Sequence, residues 1–184
     1  QDDAAYYVLI EAMGAAQAQL EAILEQTLEA ELIVDAVVSQ SSQQTDQLWA
    51  LRDDVAQAFQ FAPVFLFDVS LRLSEMAAYV DAVNAGLTAR FEAPKNFVLG
   101  HVGDGNLHFA IAVGGDSPAQ REGVEAAVYE PLIAIQGSVS AEHGVGLEKK
   151  PYLHFVRDEA EIQLMRTIKA AMDPRGILNP GKIF

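Results

Sequence analysis

His101-Val102-Gly103-Asp104-Gly105-Asn106-Leu107-His108 is the stretch on which the fold turns. Gly103 to Asn106 is a tight-turn signal, because Gly and Asn accept the positive φ that short hairpin turns need. Phe97-Val98-Leu99 precedes it, and the largely apolar run Leu107 to Val113 follows. With Asp104 and Gly105 as the two turn residues, Gly103 faces Asn106, Val102 faces Leu107 and His101 faces His108. Directly opposed residues of an antiparallel pair have Cβ atoms about 5 Å apart on one side of the sheet. Two imidazoles so placed can grip one divalent ion, and a nearby carboxylate completes a set of two His and one acid. Along the second strand Asn106, His108 and Ala110 share one face, while Leu107, Phe109 and Ile111 share the other.

The rest of the chain supplies a frame for this hairpin. Tyr6 to Ile10 is rich in strand formers, and Leu32 to Val38 reads as a second short strand. Between them Leu20, Ile23, Leu24, Leu28 and Leu32 recur at helical spacing, with Glu21, Glu25 and Glu29 on a solvated face. A helix is expected through Leu48, Leu51, Val55 and Phe59, then a strand over 64–69 opened by Pro63. Ser74 is placed to cap a helix running to about Ala89. Strands follow at 96–101 and 106–113. Ser117-Pro118 opens a helix ending near Gly137, and residues 138–150 form a Gly-punctuated loop. Asp158 caps a last helix whose Ile162, Met165, Ile168 and Met172 should face the core, with Asp173-Pro174 ending it. This order lacks strict strand–helix alternation. It points to an α+β fold, an antiparallel sheet covered by helices on one face, in a single domain over 1–184.

At 184 residues and 51% apolar composition, the chain can bury a sizeable core. Its net charge of −14 argues against nucleic acid or an anionic membrane as partner. There is no cysteine, so disulfides, thiolate metal sites and a Cys nucleophile are excluded. No apolar run approaches the roughly 20 residues of a transmembrane helix. The opening residues have no basic, apolar leader and run quickly into strand formers, so a piece of a longer polypeptide is expected. A cytoplasmic location, with peripheral membrane association of the parent left open, and a homodimer complete these expectations.

Three of the four His stand in two short polar motifs. Glu142 and His143 are adjacent and, in an extended segment, point to opposite sides of the backbone, so they need not share a role. A carboxylate completes an ion's ligands, while a neutral imidazole accepts a proton near pH 7. Spacing alone leaves Ser140 to Gly144 equally readable as a turn with incidental charge. Arg52 reads as a helix surface charge bridged to Asp53 or a neighbouring acid, and Asp104 as a turn former. Asp68, next to the apolar strand's end, is divided between cap and site.

Three motifs carry a resemblance. Gly100 to His108, Ser140-Ala141-Glu142-His143-Gly144-Val145-Gly146 and Asp173 to Lys182 resemble the C-terminal domain of FAD-linked oxidases, the group of D-lactate, glycolate and D-2-hydroxyglutarate dehydrogenases. Leu48 to Arg52 and Phe67 to Leu71 match it in the same order. The resemblance implies a ferredoxin-like α+β domain and oxidation of a D-2-hydroxy acid by hydride transfer to flavin. It implies His101, His108 and Glu142 as ligands of a divalent ion, usually zinc, and His143 as the base. It places Arg52 on the substrate carboxylate, Asn106 in support of the site, and Asn179 and Lys182 in a tail near the flavin.

The chain departs from relatives at Leu66, where many have Lys, at Arg72, where many have Pro, and at Ala56, where some have Thr. These departures leave lactate, glycolate or another 2-hydroxy acid open beside D-2-hydroxyglutarate. The family binds FAD chiefly through a separate N-terminal domain, and no Gly-rich loop opens a helix here, so this chain alone is not expected to hold FAD tightly or to be active. A metal-dependent hydrolase or lyase, and a non-catalytic interaction domain, are the competing readings.

Overall fold

The computed structural model describes residues 4–14 and 17–184. The chain divides into two compact units, residues 1–57 and 58–184. The first holds helices α1 (Gln17–Glu29) and α2 (Ser42–Asp53). Ser41 caps α2 by accepting the Gln44 N–H, one of the donors a helix start leaves unpaired. The helix expected through Phe59 is shorter than its apolar pattern: α2 stops at Asp53, and a 3-10 turn follows over Val55–Phe61.

The strands expected at 6–10 and 32–38 do not form. Tyr6 and Tyr7 are 65% and 75% exposed, and Val34 is 85% exposed. Strand propensity is a preference for a half-buried pleated surface, and it is realised only where a neighbouring strand supplies one.

The second unit is built on β1 (Phe65–Ser70), α3 (Met76–Arg90), β2 (Lys95–His101), β3 (Asn106–Ala112) and α4 (Pro118–Ile135), followed by the short α5 (Leu153–Val156) and α6 (Glu159–Met172). The sheet is antiparallel in the order β1-β3-β2. With α3 and α4 the succession is β-α-β-β-α, the ferredoxin-like order without a full last strand. A trace of that strand remains: Ser138, just after α4, bridges Ser70 on the free edge of β1.

Alternation sends Phe65, Phe67 and Val69 of β1, and Leu107, Phe109 and Ile111 of β3, into one core with Tyr79, Val83 and Leu87 of α3 and Val124, Val128 and Leu132 of α4. The helices thus cover one face, as the sequence predicts. Tyr79 packs edge-on against Phe109 and donates its hydroxyl to the Val128 carbonyl at 2.7 Å, tying α3 to α4. Asp68 and Ser70 of β1, Asn106 and His108 of β3, and His101 of β2 stand on the other face.

The three helix starts read from caps differ. Ser117 caps α4 and Asp158 caps α6 as expected, and each cap is completed as a capping box by Gln120 and Glu161 respectively. Ser74 caps nothing: α3 is entered through a 3-10 turn over Leu73–Glu75, and its N-cap Glu75 makes no side-chain bond. On α6 only Ile162 is buried, while Ile168 and Met172 are 50% and 76% exposed. The apolar stripe identified a face, not what covers it. Among the described residues no helix is long and apolar enough to cross a membrane.

Candidate functional site

The hairpin register differs from the expected one by two residues. His101 pairs with Asn106, and His108 pairs with Leu99 on one side and Asp68 on the other. The cause is the turn. Val102–Asp104 coil into a 3-10 turn, Asp104 Oδ1 accepts the Asn106 N–H at 3.2 Å, and Gly105 alone takes the left-handed conformation at φ 74°. Gly105 is required there twice over, since a Cβ would also overlap the carbonyl oxygen of Leu71. A two-residue shift keeps every side chain on its face, because the strand period is two. His101 and His108 therefore become diagonal neighbours with ring centroids 5.3 Å apart.

Glu142 completes the group from the loop after α4. Its Oε1 lies 3.6 Å from His101 Nδ1 and its Oε2 3.6 Å from His108 Nε2. One donor atom from each residue fits within 4.8 Å of the others. Two ligand atoms bound to one tetrahedral zinc at about 2.0–2.1 Å sit roughly 3.4 Å apart, so a small closure suffices for this nitrogen, nitrogen and oxygen set. Burial pushes the His108 imidazole below its ordinary pKa, against the opposing pull of Glu142. At pH 7 its lone pair is thus available to a cation.

The loop is held by Asp68, a residue the sequence left undecided. Its side chain is fully buried. Oδ2 accepts the N–H groups of Ala141, Glu142 and His143 at 2.9, 2.7 and 3.0 Å. Oδ1 faces His143 Nδ1 at 3.1 Å and receives the ammonium of Lys149. Burial pushes this carboxyl up, but Lys149 and the backbone N–H groups of His143 and Glu142 outweigh it and hold it below the usual range. Lys149, only 7% exposed, also donates to the Asp68 carbonyl and to Ser140 Oγ, both at 3.2 Å. Sequence reasoning missed Lys149. The available signal was Asp68 itself: a carboxylate inside Phe67-Asp68-Val69 needs a buried partner.

The His143 ring is 6.1 Å from that of His108, with the planes 29° apart. Asn106 is buried, its Nδ2 3.4 Å from His108 Nε2 and its Oδ1 without a hydrogen-bond partner. A small cleft of about 180 Å³ opens there, lined by Ser70, Asp104, Asn106, Ala141 and Glu142. Asn179 and Lys182 are exposed in the tail after α6, where Lys182 Nζ donates to the Pro180 carbonyl at 3.4 Å. Arg52 belongs to the first unit, in the last turn of α2, and bridges Asp53 at 2.9 Å, the surface arrangement its sequence setting suggests.

A family model described as FAD linked oxidases, C-terminal domain, matches residues 1–183. The chain belongs to that family. This FAD-linked oxidase C-terminal domain is 34% identical over 193 residues to a D-2-hydroxyglutarate dehydrogenase of Stutzerimonas stutzeri, covering 100% of this chain and 41% of that protein. It is 38% identical over 189 residues to a D-2-hydroxyglutarate–pyruvate transhydrogenase of Saccharomyces cerevisiae, covering 96% and 38%. It is 37% identical over 185 residues to a mitochondrial D-2-hydroxyglutarate dehydrogenase of Bos taurus, covering 97% and 34%. The FAD-linked oxidase domain therefore spans about two-fifths or less of these curated relatives.

Proposed function

We propose that this chain forms the substrate-binding side of an FAD-dependent dehydrogenase that oxidises a D-2-hydroxy acid to the 2-oxo acid. The observation that carries the reading is the convergence of His101, His108 and Glu142 from β2, β3 and the loop after α4, in a chain of the FAD-linked oxidase family. The relatives' names point to D-2-hydroxyglutarate first, with lactate and glycolate as the other acids to test.

His101, His108 and Glu142 are the residues to hold a divalent ion, and two imidazoles with one carboxylate suit zinc. When bound, the ion supplies Lewis acidity toward substrate oxygens and FAD supplies a two-electron acceptor. The chain's own groups do the rest. Oxidation of the alcohol releases its hydroxyl proton, and His143 is the group to accept it. Arg52 suits a substrate carboxylate through its planar fork. Asn106, buried on the cleft beside Glu142, is the group to support the bound substrate through its side-chain amide. Asn179 and Lys182 are assigned to the flavin side. The greater length of the relatives leaves room for the flavin-binding domain that this chain would pair with. A homodimer and a cytoplasmic location belong to the same proposal, and mitochondrial relatives such as that of Bos taurus offer the other compartment.

The test is rapid-mixing reduction of the flavin in the full-length protein by D-2-hydroxyglutarate and by D-lactate. His143→Ala is expected to slow reduction about 10²–10⁴-fold while zinc content is retained. An unchanged rate removes His143 from the chemistry.

A further inference from the structure

Asp68 makes two kinds of contact with its two oxygens. Oδ2 gathers the three successive N–H groups of residues 141–143, which sets the path of the loop carrying Glu142 and His143. Oδ1 faces the imidazole of His143 at Nδ1, 3.1 Å away. A purely structural latch needs only Oδ2 and the Lys149 ion pair. The contact to the ring goes further, because a carboxylate cannot donate and so holds whichever ring nitrogen carries the proton.

We propose that Asp68 is a positioning residue for His143, holding its Nδ1–H so that Nε2 is left unprotonated and turned to the substrate alcohol. The inference rests on the reading of His143 as the base and adds the group that sets its tautomer and direction. In the turnover it implies, the substrate's O–H proton passes to His143 Nε2, and the Cα hydrogen leaves with its electron pair to the flavin. Asp68 gains and loses nothing. Lys149, buried with it, balances its charge.

The substitution Asp68→Asn separates the two jobs. The three backbone N–H groups need an acceptor, so the amide oxygen takes the place of Oδ2. Its NH₂ then faces His143 Nδ1, which becomes the acceptor, and the proton moves to Nε2, where it blocks proton uptake. The same NH₂ also meets the Lys149 ammonium, so the single variant has a reason to fold poorly. Adding Lys149→Met removes that conflict.

In the full-length flavoprotein, Asp68→Asn/Lys149→Met is expected to regain most of the melting temperature lost by Asp68→Asn. Its flavin reduction should stay about 10³–10⁴-fold below that of Lys149→Met alone, with KM changed far less than kcat. In ¹⁵N-histidine-labelled wild-type protein, the long-range ¹H–¹⁵N pattern of His143 should report the proton on Nδ1. A double variant reducing flavin within a few-fold of Lys149→Met, or a wild-type His143 protonated at Nε2 alone, overturns the proposal. His143→Ala keeps the two ideas apart. If it reduces flavin at the wild-type rate, the base assignment itself fails. If it is slow while the Asp68 double variant is fast, only the role of Asp68 fails.

Discussion

Nε2 of His108 lies 3.6 Å from Oε2 of Glu142, although all of α4 separates the two residues in the chain. One is fixed by the sheet and the other by a loop pinned through Asp68. Their meeting is therefore a property of the tertiary fold, and an ion bound there would report on it.

Glu142→Gln keeps the shape of the side chain but replaces an anionic ligand with a neutral amide. Zinc affinity, measured by competition with a chelating dye, should fall at least about 100-fold, beyond the usual cost of losing an outer-shell partner. Folding should be nearly unchanged, because half of the Glu142 side chain is exposed. Equal affinity in the variant would place the ion elsewhere.

Gly105→Ala tests the turn that sets the register. The position is left-handed at φ 74°, and a methyl there overlaps the Leu71 carbonyl oxygen, whose own N–H is bonded to Gly105 O at 3.0 Å. A loss of about 2–4 kcal/mol is expected, read as a fall of roughly 5–15 °C in melting temperature. A loss under about 0.5 kcal/mol would mean that the loop adjusts freely.

Tyr79→Phe removes one buried bond between α3 and α4 while keeping the ring against Phe109. The expected cost is about 1 kcal/mol in denaturant unfolding, with the slope unchanged. Stabilisation instead would show that the hydroxyl is held at a net penalty.

The tail after α6 should loosen in acid. Asp173 accepts from Lys169 at 2.5 Å and from the N–H groups of Ile177 and Leu178, both at 2.9 Å, and these bonds hold its carboxyl down at about 2. A depressed acid stabilises fully above its unfolded pKa, near 4, and loses that contribution as pH falls through the folded value. Hydrogen exchange at Ile177 and Leu178 should therefore lose protection, relative to β3, between about pH 4 and 2. In Asp173→Asn that pH dependence should vanish.

Much of this architecture is legible in residues read alone. The strand at 65–70, the hairpin, the helix caps at Ser117 and Asp158 and the helix stop before Pro174 all carry local chemistry that nothing distant overrides. His101 and His108 stay neighbours on one face of the sheet despite the different register, because the shift is even. Tyr6–Ile10 reads as a strand and forms none, because its β-propensity meets no neighbouring strand. Lys149 was invisible because its role depends on a carboxylate 81 positions earlier, and no local pattern encodes that pairing.

Diffraction at the zinc absorption edge, from crystals grown with zinc, addresses the metal assignment directly. One strong anomalous peak is expected, bonded to His101, His108 and Glu142 at about 2.0–2.2 Å. A zinc ion held by other residues, with these three side chains left unbound, would contradict it.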